Sequence, residues 1–487
     1  MHRFRFATTG LGLSALALAS CAGAQSTQQL AQGQIQPITT AERNQGTQAN
    51  RSILQEFGGA YQGSQAAYAE RVGQKIAVQS GLSANPGAFD VTLLNSPVNN
   101  AFAIPGGYVY VTRQLMALMN DEAELAAVLG HEIGHVAARH SAKRQSAATR
   151  NSILGALGQL LVGQVVGEGV VGGLLNRGIG TGAQLATLGY SRGQETQSDD
   201  LGVAYLRRAG YDPSALSSML ASLAAQTALD ARLSGQDARS VPSWASTHPD
   251  PGARVRHAAQ QAGTSAGVRN RDAFLNAIDG MMYGEDPQQG VIDGRTFIHP
   301  AFRLAFTVPQ GFTMQNGAAA VTISGQGGQA QFTTASYGGD LNAYIGTVAR
   351  GLGVQGQTPA VQRTTVNGVS AAYTQLRAAS GQTPVDVTIF AYAPSESRAY
   401  HFVVVTAAGS GLGPLSSMVQ SFRPLSAAQA AAVKPRYVRV VSTKAGDTAQ
   451  SLSQRMAYTD ATLARFLVLN GLSEGERLPA RVKLITY

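Results

Sequence analysis

The chain of 487 residues contains one cysteine, Cys21. A single thiol excludes an internal disulfide, so the fold rests on packing alone. Charge is also scarce, at 13% of residues. The formal balance is +9, but Lys and Arg are scattered and form no block and no aromatic-interleaved stripe. That pattern argues against a nucleic-acid partner and fits an anionic envelope surface equally well. Long apolar runs are missing too. The uncharged stretch 151–167 is broken by four glycines and two glutamines. It is a poor membrane span, for which about twenty mostly apolar residues are needed. It reads as a buried helix, a cover over a site or a segment lying on a membrane surface.

What remains is a globular composition, 44% hydrophobic, long enough for two to four domains. Residues 1–21 have a basic start and a short apolar run ending in small residues, the shape of a secretory signal. The end, Leu18-Ala19-Ser20-Cys21, resembles a bacterial lipobox. That resemblance implies lipid attachment at Cys21 and, with Ala22 following, an outer-membrane anchor facing the periplasm. Residues 22–49 are rich in Gln, Thr, Ser and Asn and read as a flexible tether. Residues 50–263 read as mostly helical with one early strand region, and 264–297 as a connector with a short helix. From 298 to 425 the pattern turns to period-two alternation, as in "PVDVTIFAYA", which predicts an antiparallel sheet with helices at "DLNAYIGTVARGL" and "LGPLSSMVQSF". A third unit covers 436–487.

The stretch "LGHEIGHVAARH" carries the chemistry. His131 and His135 are four apart, so a helix puts both imidazoles on one face for one metal. Glu132 projects about 100° away and is placed as a general base rather than a ligand. Composition predicts about 0.01 such motifs by chance. Asn120 and Asp121 are candidate caps, and Glu124 is placed to complete a capping box. A third ligand must come from elsewhere. Continued helical periodicity turns His140 about 180° from His131, away from the metal. In "YSRGQETQSDDLG", Glu195 can complete a His₂Glu site, and Asp199 can accept the second N–H of a ligand histidine. A solvated acidic helix face explains the same spacing equally well. His248, in a Pro-bounded loop beside Trp244, reads as a plug or oxyanion donor at the metal, or as a loop-packing residue.

Four ordered segments, "NAFAIPGGYVYVTRQLM", "ELAAVLGHEIGHVAARH", "YSRGQETQSDDLG" and "STHPDPGARV", resemble the zinc metallopeptidases of the CAAX prenyl protease and HtpX type. They are most similar to the soluble periplasmic branch concerned with outer-membrane quality control. The resemblance covers 50–263. It implies a gluzincin-like helical fold, one Zn²⁺ held by His131, His135 and Glu195, and Glu132 as general base. The family often shows E-x-E-A-D where this chain has Glu195-Thr196-Gln197-Ser198-Asp199, a change of neighbours expected to matter little. "FAIPGGYVYV" is expected to supply an edge strand near Gly106 and Gly107, where bare backbone admits an extended substrate. The implied substrates are misfolded or stalled envelope proteins. Residues 436–487 resemble a LysM module, a βααβ unit, which implies peptidoglycan as a partner. Residues 298–425 hold no metal-ligand cluster and read as an α+β accessory domain. Two other functions fit the same sequence: a chaperone or assembly scaffold that rarely cuts, and a wall-binding envelope factor.

Overall fold

The computed structural model describes residues 35–141, 190–233, 248–354, 360–380 and 383–487. The signal and lipidation readings at 1–21, the stretch 151–167 and Trp244 lie outside these residues.

The N-terminal unit is helical, with one small sheet. Helix α1 (Thr40–Glu56) opens with a capping box between Thr39 and Glu42. Residues 40–49, expected in a flexible tether, are therefore ordered. Their polarity is that of a helix with one buried stripe, where Gly46 and Ile53 face inwards. Helix α2 (Ser64–Ala77) precedes strands β1 (Asp90–Leu94), β2 (Ala101–Ile104) and β3 (Tyr108–Thr112). Their order is β1-β3-β2, with β3 parallel to β1 and antiparallel to β2. A short helix α3 (Arg113–Leu118) leads into α4 (Glu122–Ala137), the helix of the two-histidine motif.

Helix α4 is capped by Asp121, whose side chain accepts from the Glu124 N–H at 2.9 Å, while Glu124 accepts from the Asn120 N–H at 2.7 Å. Arg269 pairs with Asp121 and Glu124, which ties this end to the chain beyond the site. Every residue of α4 except Val136 is buried. An apolar stripe understates this helix, which is enclosed on all sides. Helices α5 (Arg192–Ala209), α6 (Ala215–Leu233), α7 (Pro251–Ala262) and α8 (Arg271–Ile278) complete the bundle.

The expected connector is divided between its neighbours. Strand β4 (Met282–Tyr283) joins the C-terminal sheet, whereas β5 (Val291–Asp293) and β6 (Thr296–His299) belong to the accessory unit. With β7 (Leu304–Thr307) and β15 (Arg423–Pro424) they form a four-stranded sheet. The larger sheet contains β8 (Phe312–Asn316), β9 (Val321–Gly325), β10 (Gly328–Thr334), β11 (Gln362–Val366), β12 (Val369–Ser380), β13 (Thr383–Ser395) and β14 (Arg398–Ala407). Its order is β11-β12-β13-β14-β10-β9-β8, antiparallel throughout. The period of two decides what packs where. Phe390 and Tyr392 join a core with Phe297 and Phe306 of the small sheet. Ile389 and Ala391 pack instead with Leu341, Tyr344 and Ile345 of α9 (Leu341–Gly351). Helices α10 (Ser416–Gln420) and α11 (Ala427–Ala432) follow.

The last unit runs β16 (Arg436–Ser442), α12 (Ala449–Ser453), α13 (Thr462–Asn470) and β17 (Arg481–Thr486), a βααβ order. It is not a separate bead on a linker. Phe466, Val482 and Leu484 share one continuous core with Leu115, Met119 and Leu125. The Lys483 ammonium, wholly buried, donates to the carbonyl oxygens of Ala117 and Met119 at 2.8 and 2.5 Å. It thereby satisfies helix-end carbonyls left open where α3 stops.

Candidate metal centre

Two helices must approach closely to combine ligands from α4 and α5, and glycine makes this possible. A Cβ at Gly134 would sit 3.2 Å from the Ser198 carbonyl oxygen and 3.3 Å from its Cα. A Cβ at Gly202 would sit 3.3 Å from the His131 nitrogen. These contacts are with backbone, which cannot rotate aside. The side chains beside this crossing are therefore brought face to face.

His131, His135, Glu195 and His248 each direct one donor atom into a common cluster, with those atoms within 4.8 Å of one another. All four residues are buried to within 1% of complete. His131 Nε2 lies 3.1 Å from His135 Nε2 and 3.6 Å from Glu195 Oε2. His135 Nε2 lies 3.4 Å from Glu195 Oε1. His248 Nδ1 stands 3.1 Å from both Glu195 oxygens and 3.4 Å from His131 Nε2. Tyr190 stacks on His135, with ring centroids 3.6 Å apart. Glu132 is fully buried next to the cluster, its Oε1 3.6 Å from His248 Nε2.

The proton inventory tests whether this set suits a cation. Asp199 Oδ1 lies 2.9 Å from His131 Nδ1. An ionised carboxylate only accepts, so His131 donates from Nδ1 and keeps its lone pair on Nε2, the atom facing the cluster. Burial pushes His135 well below its ordinary pKa, favouring the neutral form that can ligate. Burial also lowers His248, to about 4, although Glu195 pulls it the other way. Burial alone would raise Glu195, but His248 and His135 hold its carboxyl well below the usual range. Neutral imidazoles and one ionised carboxylate are the donors zinc takes, and zinc fits this set.

Arg254, on α7, balances the two carboxylates. It donates to Asp199 through Nε and Nη2 at 2.7 and 2.6 Å, and its Nη1 is 2.5 Å from Glu195 Oε2. Burial would raise Asp199, yet the bonds from Arg254 and His131 bring it below its ordinary value.

The residues expected from sequence are thus placed as follows. His131, His135, Glu195 and His248 stand together, Glu132 adjoins them and Asp199 touches His131. The expected edge strand is β2, which stands at the end of the β1-β3-β2 order. Gly106 and Gly107 form the turn between β2 and β3 at φ +95° and +85°, and a Cβ on them would strike Glu42 and Ala88 backbone oxygens at 2.6 and 2.4 Å. Their smallness accommodates this chain's own N-terminal segment, and Arg43 donates to the Gly106 carbonyl at 2.6 Å. His140 stands outside that cluster, but its expected place on the far face of the helix is a correction. It is fully buried, with Nδ1 2.8 Å from His135 Nδ1. Helix α4 stops at Ala137, and Arg139 takes a left-handed φ of +53°, so helical periodicity does not reach residue 140. Arg254 and Tyr190 carried no sequence assignment. Two carboxylates one turn apart and both buried require a cation, and the only arginine in "STHPDPGARV" is Arg254.

Residues 63–262 match the family model described as Peptidase family M48. A beta-barrel assembly-enhancing protease of Yersinia pestis is 31% identical over 198 residues, covering 40% of this chain and 38% of that one. The mitochondrial metalloendopeptidase OMA1 of Schizosaccharomyces pombe is 30% identical over 221 residues, 44% of this chain and 59% of its own length. The metalloprotease LoiP of Escherichia coli K12 is 34% identical over 126 residues, 26% of this chain and 47% of its own. The chain therefore spans less than two thirds of each of these relatives.

Proposed function

We propose, from the match of residues 63–262 to peptidase family M48, that the chain is a zinc endopeptidase acting on misfolded or stalled envelope proteins. The observation that carries this reading is the convergence of His131, His135 and Glu195 across the α4–α5 crossing with Glu132 beside them. His131, His135 and Glu195 would hold the zinc, which would supply Lewis acidity to a water and to a peptide carbonyl. Glu132 takes the proton from the attacking water at its carboxylate and returns it to the leaving amine. Asp199 keeps His131 in the ligating tautomer. Burial of the whole cluster strengthens each of these electrostatic contacts.

The substrate class draws support from the relatives whose names refer to β-barrel assembly. A lipid on Cys21 would hold the chain at the outer membrane on its periplasmic side. Among the described residues no helix is long and apolar enough to cross a membrane. The βααβ unit, a LysM-like module in this reading, would bring peptidoglycan within reach. Its welding to the peptidase core supports a fixed orientation of any such contact.

His248 adds a qualification to the reading. Its ring occupies the fourth donor position, which a water or carbonyl needs. In this reading His248 is a plug, and the conformation is a resting one. The same observation favours the scaffold function as the second reading, since a plugged site binds clients without cutting.

One substitution separates the two. Glu132→Gln should keep one zinc per chain and lose cleavage of an unfolded protein such as reduced casein. A variant that cleaves as fast as wild type would exclude Glu132 as the base. Retained cellular function in the inactive variant would favour the scaffold.

A further inference from the structure

We propose that His140 is a positioning residue for the ligand His135, and that Gln197 sets the direction of the hydrogen bond between them. This rests on the assignment of His131, His135 and Glu195 as metal-holding residues.

The chain has to leave its helix to place His140. After Ala137 the backbone turns through Arg139 in the left-handed region, a conformation disfavoured for a residue that carries a Cβ. The N-terminal segment holds that turn. Arg139 pairs with Glu42 and donates through Nη2 to the carbonyl oxygens of Gln36 and Pro37 at 3.1 and 3.2 Å. The turn folds His140 back under His135, fully buried, with ring centroids 5.0 Å apart.

The proton between the rings has a definite owner. Two ring nitrogens 2.8 Å apart share one hydrogen, so one donates and the other accepts. His140 Nε2 lies 2.9 Å from the Gln197 carbonyl oxygen, Oε1, and must donate to it. A neutral His140 then has its lone pair on Nδ1, the atom that faces His135. His135 therefore donates from Nδ1 and carries its lone pair on Nε2. That is the nitrogen facing His131 and Glu195. Reversing the bond would put a hydrogen on the ligating atom and disable it.

Each ligand histidine thus has its own acceptor. His131 uses the Asp199 carboxylate, which Arg254 neutralises. His135 uses a neutral imidazole, which adds no further buried charge beside Glu195 and Asp199. Gln197 supplies the oxygen that orients the pair.

The test is zinc affinity in the full chain, measured by competition with a chromophoric chelator, beside melting of the metal-free protein. His140→Leu should weaken zinc 10- to 100-fold, the range for lost outer partners of metal ligands. His140→Gln offers a carbonyl to His135 Nδ1 and should restore affinity to within about threefold of wild type. Gln197→Glu can only accept and should bind zinc at least as tightly as wild type, whereas Gln197→Met should bind more weakly. Selective ¹⁵N labelling of histidine should show the His135 proton on Nδ1 in wild type and in His140→Gln. The proposal is overturned if His140→Leu binds zinc within twofold of wild type. Equal losses in the Leu and Gln variants, or weaker zinc in Gln197→Glu, also overturn it. A wild-type chain without zinc overturns the ligand assignment, and this inference with it.

Discussion

Replacing Gly134 with alanine tests whether the α4–α5 crossing is what assembles the site. Two effects oppose each other. Alanine in a helix interior is favoured over glycine by about 1 kcal/mol. Against this, the new Cβ would stand 3.2 Å from the Ser198 carbonyl oxygen, 3.3 Å from Ser198 Cα and 3.4 Å from Leu201 Cβ. Comfortable carbon contacts lie at about 3.5–4.0 Å, so the helices must part by a few tenths of an ångström. Overpacking of this kind costs about 1–3 kcal/mol, and the clash wins by about 1 kcal/mol. Metal binding is more sensitive than stability. Ligand distances tolerate about 0.2 Å, and the parting moves Glu195 away from both histidines. Zinc affinity should fall at least tenfold, about 1.4 kcal/mol. Gly193→Ala is the internal control, because Gly193 is exposed on α5 and, among the described residues, nothing lies within 4 Å of its would-be Cβ. It should gain a few tenths to about 1 kcal/mol and leave zinc untouched. Urea unfolding of the metal-free chains and zinc competition measure both quantities. If Gly134→Ala gains stability as Gly193→Ala does and binds zinc normally, the close-crossing argument fails.

Two further predictions concern buried polar groups. Asp199→Asn removes an acceptor shared by His131 and Arg254. Zinc should weaken 10- to 100-fold, and the metal-free chain should lose about 3 kcal/mol because Arg254 is left partly unpaired. Chelator competition and denaturation check the two losses separately, and an unaltered zinc affinity would remove Asp199 from the site. His401, in β14, is lowered to about 4 by burial, with Tyr344 Oη 2.8 Å from its Nδ1. Folding favours the neutral ring, so its contribution is complete above about pH 6.5 and is lost as pH falls through 4. The loss should reach about 2–3 kcal/mol near pH 4.5. Hydrogen exchange in β13 and β14 should accelerate over that window and do so less in His401→Gln. Equal exchange at pH 7 and 4.5 in wild type would contradict the assignment.

Short-range spacing put His131 with His135, and Glu195 with Asp199, on shared helix faces, because positions four apart share a face whatever the tertiary setting. The resemblance to the metallopeptidases, not the spacing, singled out Glu195 as a ligand. Spacing also made the sheet of the accessory domain readable. Its strands alternate so regularly that "PVDVTIFAYA" divides its residues between two cores. What failed was extrapolation past a point where the backbone leaves its period. His140 was assigned to the far side of α4 by continuing 3.6 residues per turn through Arg139. No residue type announced the break, since glycine or asparagine normally marks a left-handed position and here an arginine takes it. The cause lies about a hundred residues away, in the contacts of Arg139 with Glu42, Gln36 and Pro37.

The same distance effect explains Gly106 and Gly107. Adjacent glycines beside a strand satisfy two demands equally well, an incoming substrate backbone or a close approach by the chain itself. Local sequence does not distinguish them. The approach of Glu42 to Gly106 and of Ala88 to Gly107 supplies the second demand here. The contact at Gly106 and the turn at Arg139 both involve one element, the N-terminal segment that the composition presented as a tether. It covers the β2–β3 turn with Arg43 and fixes the end of the ligand helix through Arg139. Its polar, glycine-containing sequence hides this role, because α1 buries only Gly46 and Ile53 and makes its decisive contacts through backbone carbonyls and single charges. A segment can thus be compositionally disordered and still set the geometry of a buried ligand, provided that its partners carry the hydrophobic burial.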